Sequence, residues 1–167
     1  MDLKNNVINF ERKTAEFFKS KKVIIIWTVL ITLATHIYFF MGRYGNEDSR
    51  FHINDTVSVL SSGRYFYGFT KFDFVPVIIF VLILIELTIS VLLVLGIFKI
   101  KSKTCSLLIA GFMVTFPVLG YSFSYIQMYD TYTLALLFSV LAVYCSDKWK
   151  YGFLAGGVFL FFSLTLY

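Results

Sequence analysis

The stretch VPVIIFVLILIELTISVLLVLGIF, residues 75–98, decides the class of fold. It is apolar almost throughout, and its only ionisable side chain is Glu86. A helix rises about 1.5 Å per residue, so a stretch of this length covers the roughly 30 Å hydrocarbon core of a bilayer. The stretch therefore predicts a transmembrane helix.

The composition of the whole chain agrees with a membrane setting. Hydrophobic residues make up 58 %, aromatic residues 20 % and charged residues 15 %, and the mean hydropathy is +0.77. Soluble domains carry about 25 % charged residues. Two prolines and ten glycines leave no low-complexity linker, so we expect no second, soluble domain.

Four further apolar stretches are predicted to be transmembrane helices as well, at residues 23–41, 105–120, 130–145 and 151–167. We therefore expect an all-α, polytopic membrane protein with about five transmembrane helices and a transmembrane domain over residues 23–167. The third and fourth predicted spans are short, so they tilt little or begin earlier. The first is no signal peptide, because it is long and ends in aromatic residues and Met-Gly-Arg.

Residues 1–22 form a separate basic segment. Val7, Phe10, Phe17 and Phe18 share one face of a helix drawn through residues 4–22, and charged side chains surround the rest. This pattern predicts an amphipathic helix that lies on the membrane surface. A disordered basic tail is the alternative.

The distribution of Lys and Arg predicts the orientation. Eleven of the fifteen basic residues fall in the N-terminal segment and in two of the connectors, around residues 99–103 and 148–150. Cytoplasmic loops carry such an excess, so we expect a cytoplasmic N-terminus, a multi-pass protein of the cell membrane and an extracytoplasmic loop at residues 42–74. The net charge of +5 fits anionic lipid headgroups better than nucleic acid.

The outer loop contains the long polar stretch GNEDSRFHINDTVSVLSSGRYFYG, residues 45–68. Glu47 and Asp48 follow the first span closely, so we expect them near the membrane surface, where a lower dielectric can tune a carboxylate toward general-base chemistry. A solvated connector without a site is the alternative, since loops are generally polar.

Basic and aromatic side chains share this loop. Arg50 and Arg64 offer forked donors that suit a phosphate, His52 could add a donor, and Tyr65 begins an aromatic run that returns the chain to the membrane. We expect a short interfacial helix from Asn54 or Asp55 to Gly63. No cofactor is expected, although the two carboxylates and His52 could hold a divalent cation.

The ionisable and thiol groups outside the loop are expected to have structural roles. Glu86 lies too deep to act with the outer loop, and we expect a protonated carboxyl bonded to a hydroxyl on a neighbouring helix or to Ser90, with a functional role as the alternative. His36 is expected to be a hydrogen-bonded packing residue. Cys105 and Cys145 are expected to be small apolar residues, without a disulfide or zinc.

The order of these features resembles the start of the type II O-antigen glucosyltransferase family, membrane glycosyltransferases of the GT-C class. The resemblance rests on the acidic pair with Arg50, on the Ser62–Tyr65 step, on Thr115–Pro117 and on Ser163–Tyr167. It covers most of the chain from about residue 23.

The resemblance implies an outer-face enzyme that transfers a sugar, with glucose expected, from a polyprenyl-phosphate donor to a cell-surface glycan or lipid. Asp48 or Glu47 would deprotonate the acceptor hydroxyl, and Arg50 and Arg64 would hold the donor phosphate. Enzymes of this class have about twice as many spans, so we expect a fragment or one half of a split enzyme, with a second polypeptide supplying further spans. The alternatives are a non-catalytic subunit for lipid or sugar translocation and an inactive fragment.

Overall fold

The computed structural model describes residues 3–42, 76–122 and 129–166. Within these residues the chain is helical and contains no strand, as the sequence predicts. The helices are α1 (Leu3–Gly42), α2 (Pro76–Ile97), α3 (Lys103–Thr115), α4 (Pro117–Ser122), α5 (Tyr129–Lys148) and α6 (Gly152–Leu166).

Three segments are long and apolar enough to cross a membrane, Lys19–Tyr38, Ile78–Ile97 and Lys103–Gly120. They correspond to the first three predicted spans, and α2 agrees with the prediction to within one residue at each end. The fourth and fifth predicted spans are also helical, but α6 is a shorter apolar helix of 15 residues. The count of five spans therefore stays a prediction.

Helix α1 differs from the prediction at its beginning. The sequence divides the surface segment from the first span at residue 22, whereas the structure contains one uninterrupted helix of 40 residues, Leu3–Gly42. The stretch has no proline, and its basic residues are good helix formers, so nothing local ends the helix between the two parts. The surface placement of residues 1–22 stays a prediction.

The third predicted span is broken once. Phe116 has an extended conformation (φ −58°, ψ 129°) between α3 and α4. The ring of Pro117 disfavours the helical conformation for the residue before it, and proline itself is well suited to the first position of a new helix. Pro117 therefore causes the break.

Cross-helix contacts give the direction of each helix. Trp27 and His36 of α1 bond to Leu107 and Val114 of α3, in the same order along both helices, so this pair is parallel. Glu86 and Gly96 of α2 lie against Thr133 and Tyr144 of α5, so this pair is parallel too.

The pairs α2–α3 and α5–α6 run antiparallel. A connector over residues 98–102 joins α2 to α3, and the turn around Trp149 joins α5 to α6. Accordingly α1 and α4 end, and α2 and α5 begin, at one end of the bundle, which we call the loop end. The predicted outer loop connects two helices at this end, and the lysine-rich connectors lie at the other.

Candidate functional site

The residues that the sequence singles out for chemistry lie outside the described residues. These are Glu47, Asp48, Arg50, His52, Arg64 and Tyr65. The predicted interfacial helix lies outside them as well. Their roles stay predictions, and the structure informs them through the helices that begin and end at the loop end.

His36 joins α1 to the broken joint between α3 and α4. Its imidazole Nε2 lies 2.6 Å from the carbonyl oxygen of Val114. A carbonyl can only accept, so this nitrogen carries the hydrogen and donates it. The side chain is buried, and its Cε1 lies 4.0 Å from the position that a Cβ on Gly120 would take. The prediction that His36 is a hydrogen-bonded packing residue is confirmed.

Glu86 accepts a hydrogen bond from a neighbouring helix. The Thr133 hydroxyl of α5 donates to Glu86 Oε2 at 2.5 Å, and Thr133 is fully buried. The predicted hydroxyl partner on another helix is confirmed, while the protonation of the carboxyl stays a prediction. Ser90 donates to the main-chain oxygen of Glu86 at 2.8 Å.

The level of this contact in the bundle is informative. Thr133 comes one helical turn after Tyr129, the first residue of α5, or about 6 Å along the axis. Glu86 lies near the middle of α2. Its carboxyl group nevertheless lies only about one helical turn from the loop end of α5. The positive end of the α5 dipole faces the same end and favours negative charge there.

A cleft of about 600 Å³ opens between α3–α4 and α5–α6. This volume is within the range of small-molecule sites, about 300–1,000 Å³. Most of its wall is apolar, and the polar contributions come from three hydroxyl side chains, Tyr132, Ser139 and Ser163. Its lining residues carry no formal charge, so the cleft suits a neutral, mainly hydrocarbon group.

Two of these hydroxyls also tie α5 to α6. Ser139 and Ser163 lie 2.7 Å apart, and Ser163 donates to the carbonyl oxygen of Ala135 at 2.9 Å. Serine at a helix interface is a usual way to join helices in an apolar environment. Two of the three polar side chains of the cleft wall are therefore fixed by hydrogen bonds between the helices that form it.

Among the described residues, no group of three or more His, Cys, Asp or Glu side chains is placed to hold a metal ion. Cys105 is exposed and Cys145 is buried, and both are free thiols. A cation site in the outer loop lies outside the described residues and stays a prediction.

Comparison with protein families assigns the chain. The family described as "Glucosyl transferase GtrII" matches residues 37–167, which include the whole polar loop and helices α2 to α6. The chain belongs to the GtrII glucosyltransferase family. Comparison with curated proteins and with solved structures gave no match.

Membership of the GtrII family confirms the resemblance drawn from the acidic pair, the Ser62–Tyr65 step and the two later motifs. Sequence reasoning did not find the cleft or the bond from His36 to Val114. One signal for the second was present, because Pro117 predicts a break that leaves carbonyl groups at the end of α3 in need of donors.

Proposed function

We propose that this GtrII family member is a membrane glucosyltransferase that uses a polyprenyl-phosphate-linked glucose as donor and a cell-surface glycan or lipid as acceptor, on the outer face of the cell membrane. The observation that carries the proposal is the family match over residues 37–167, which spans the charged loop together with helices α2 to α6.

The proposed reaction is a direct displacement. The carboxylate of Asp48, or of Glu47, takes the proton of the acceptor hydroxyl, and the acceptor oxygen forms a bond to the anomeric carbon. The bond from that carbon to the phosphate oxygen breaks, and the electron pair stays on the phosphate. Arg50 and Arg64 stabilise this charge, His52 and Tyr65 contact the substrate, and the anomeric configuration inverts.

The described helices support this arrangement. Because α1 ends and α2 begins at the loop end, the acidic pair begins five residues after a helix end that is held against α3. The cleft between α3–α4 and α5–α6 is uncharged and large enough for part of a hydrocarbon tail. A donor with its phosphate in the loop and its tail in the cleft would match the charge of the loop and the apolar lining of the cleft.

The test is glucosyl transfer by the full chain in lipid nanodiscs, with radiolabelled polyprenyl-phosphate glucose and a membrane acceptor. Asp48→Asn or Glu47→Gln should lower the rate by about 10²–10⁴-fold, which is the usual contribution of a general base. Glu86→Gln is the control, because the amide oxygen can still accept from Thr133 and the carboxyl lies outside the proposed reaction.

The contact between Glu86 and Thr133 favours a second candidate, a non-catalytic subunit for lipid or sugar translocation in which Glu86 lines a polar path. The same variants separate the two functions. Loss of function in Glu86→Gln, with both loop variants working normally, would exclude the transferase and favour translocation.

A further inference from the structure

His36 lies close to the point where the chain leaves α1. It comes six residues before Gly42, the last residue of the helix, or about 9 Å along the axis. Its bond to Val114 joins this end of α1 to the end of α3, just before the break at Phe116. We infer that His36 is a positioning residue, which fixes the start of the loop that carries Glu47 and Asp48; this inference rests on the proposed function.

The chemistry of the bond explains why a donor is needed there. The last four carbonyl groups of a helix have no partner within the helix, and Val114 is the second-last residue of α3. The His36 side chain is 3 % exposed, so the bond forms away from solvent, where it is electrostatically stronger than in water. An apolar side chain at this position would leave the carbonyl without this donor.

The same ring also lies near the helix beyond the break. Its Cε1 lies 4.0 Å from the position that a Cβ on Gly120 of α4 would take, and Gly120 comes two residues before that helix ends at Ser122. His36 therefore bonds to one side of the joint and lies near the other side, from which α4 leads to residues 123–128. Because His36 fixes α1 to this joint, it sets the distance between the end of α1 and the end of α4. These are the points at which the two connections at the loop end start.

Trp27 provides an internal comparison. Its indole nitrogen donates to the carbonyl oxygen of Leu107 at 3.0 Å, so it joins the same two helices by the same kind of bond. Trp27 lies fifteen residues before Gly42, or about 22 Å, whereas His36 lies about 9 Å away. A general role in holding α1 on α3 predicts equal effects for both residues, and a positioning role predicts an effect on the loop from His36 alone.

The experiment compares His36→Leu, His36→Gln and Trp27→Phe in the full chain in nanodiscs. One readout is kcat and KM for glucosyl transfer. The other is the distance between spin labels at Ile37→Cys in α1 and Val118→Cys in α4, with Cys105 and Cys145 replaced by alanine.

For His36→Leu we expect a broader label distance and a fall in kcat of about tenfold or more, because small displacements of catalytic groups are costly. We expect KM to change less. His36→Gln can donate from its amide nitrogen, and it should restore both readouts in part. Trp27→Phe should leave the label distance unchanged and kcat within about threefold of the wild type.

The inference is overturned if His36→Leu keeps the wild-type label distance, or if Trp27→Phe broadens it as much. It is also overturned if kcat falls equally in both variants. If the unaltered chain transfers no sugar, the proposed function fails, and the label distances still decide the role of His36.

Discussion

The pair α5–α6 and the pair α1–α3 are joined in different ways. In α5–α6 the backbones approach so closely that glycine is required, because a Cβ on Gly156 would lie 2.7 Å from the carbonyl oxygen of Ala142. In α1–α3 the helices are linked by side chains that reach across, from Trp27 to Leu107 and from His36 to Val114.

The difference shows where rigidity and adjustment lie. Close backbone contact tolerates almost no change of shape, so α5–α6 behaves as a fixed unit that holds one wall of the cleft. Ile24 of α1 and Val114 of α3 also belong to one apolar cluster. The polar links of the α1–α3 pair, however, are two long side chains, and the pair can change its angle when one of them is altered. The helix that leads into the charged loop belongs to this second pair.

The largest expected effect breaks the close contact. A Cβ on Gly152 would overlap the carbonyl oxygen of Cys145, whereas a Cβ on Gly157 would meet nothing within 4 Å. Gly152→Ala should destabilise the protein by about 3 kcal/mol, and Gly157→Ala should leave it unchanged or slightly more stable. Thermal unfolding in detergent measures both.

These glycines lie in the same helix and receive the same methyl group, but Gly152 is the first residue of the helix and Gly157 is interior. Alanine gains at most about 1 kcal/mol of helix propensity over glycine, so propensity cannot explain a difference of about 3 kcal/mol. Equal melting temperatures for the two variants would contradict the close approach of α5 and α6.

A smaller effect sharpens the role of side-chain links. Thr133 and Thr32 are both fully buried, but Thr133 donates to Glu86 on another helix and Thr32 donates to Thr28 in its own turn, at 2.8 Å. Thr133→Val should cost about 1–2 kcal/mol, since it removes a link between helices. Thr32→Val should cost less than about 0.5 kcal/mol.

The measurement is again the melting temperature in detergent, where 1 kcal/mol corresponds to about 2–4 °C for a chain of this size. A greater fall in melting temperature for Thr32→Val than for Thr133→Val would show that hydrogen bonds between helices do not dominate the polar contribution to stability.

The sequence was sufficient for the apolar spans, but it divided α1 at residue 22, where the helix is continuous, and it was insufficient for the pairing of the helices. Apolar length alone predicts α2 to within a residue, and the acidic pair with the Ser62–Tyr65 step indicates the family. The partners of Glu86 and His36 depend on which helix faces lie together. Because the spans are apolar on all sides, their periodicity does not indicate which face packs inward.

The break at Phe116 shows an intermediate case. Pro117 is visible in the sequence, and its effect on the preceding residue is general, so the position of the break follows from local chemistry. The bond from His36 to the end of α3 follows only when α1 is known to run parallel to α3. The loop site itself, with Asp48 and Arg64, stays a prediction from sequence.

Glycine can be favoured at a position because there is no space for a side chain or because the backbone conformation suits glycine alone. The smallest expected effect concerns the second reason. Lys99, after α2, has a positive φ of 52°, and its backbone N–H and that of Ile100 bond back to Gly96 and Leu95. This helix ending usually has glycine at the left-handed position, where other residues are strained by about 1 kcal/mol. Lys99→Gly should therefore stabilise the protein by about 0.5–1 kcal/mol.

Lys101→Gly is the matched control for that change. It removes the same charge from the same connector, and among the described residues other than glycine Lys99 alone has a positive φ. The control should be neutral or slightly destabilising, because glycine adds freedom to the unfolded chain. If both variants raise the melting temperature equally, the gain comes from the lost charge, and the backbone conformation at Lys99 carries no strain.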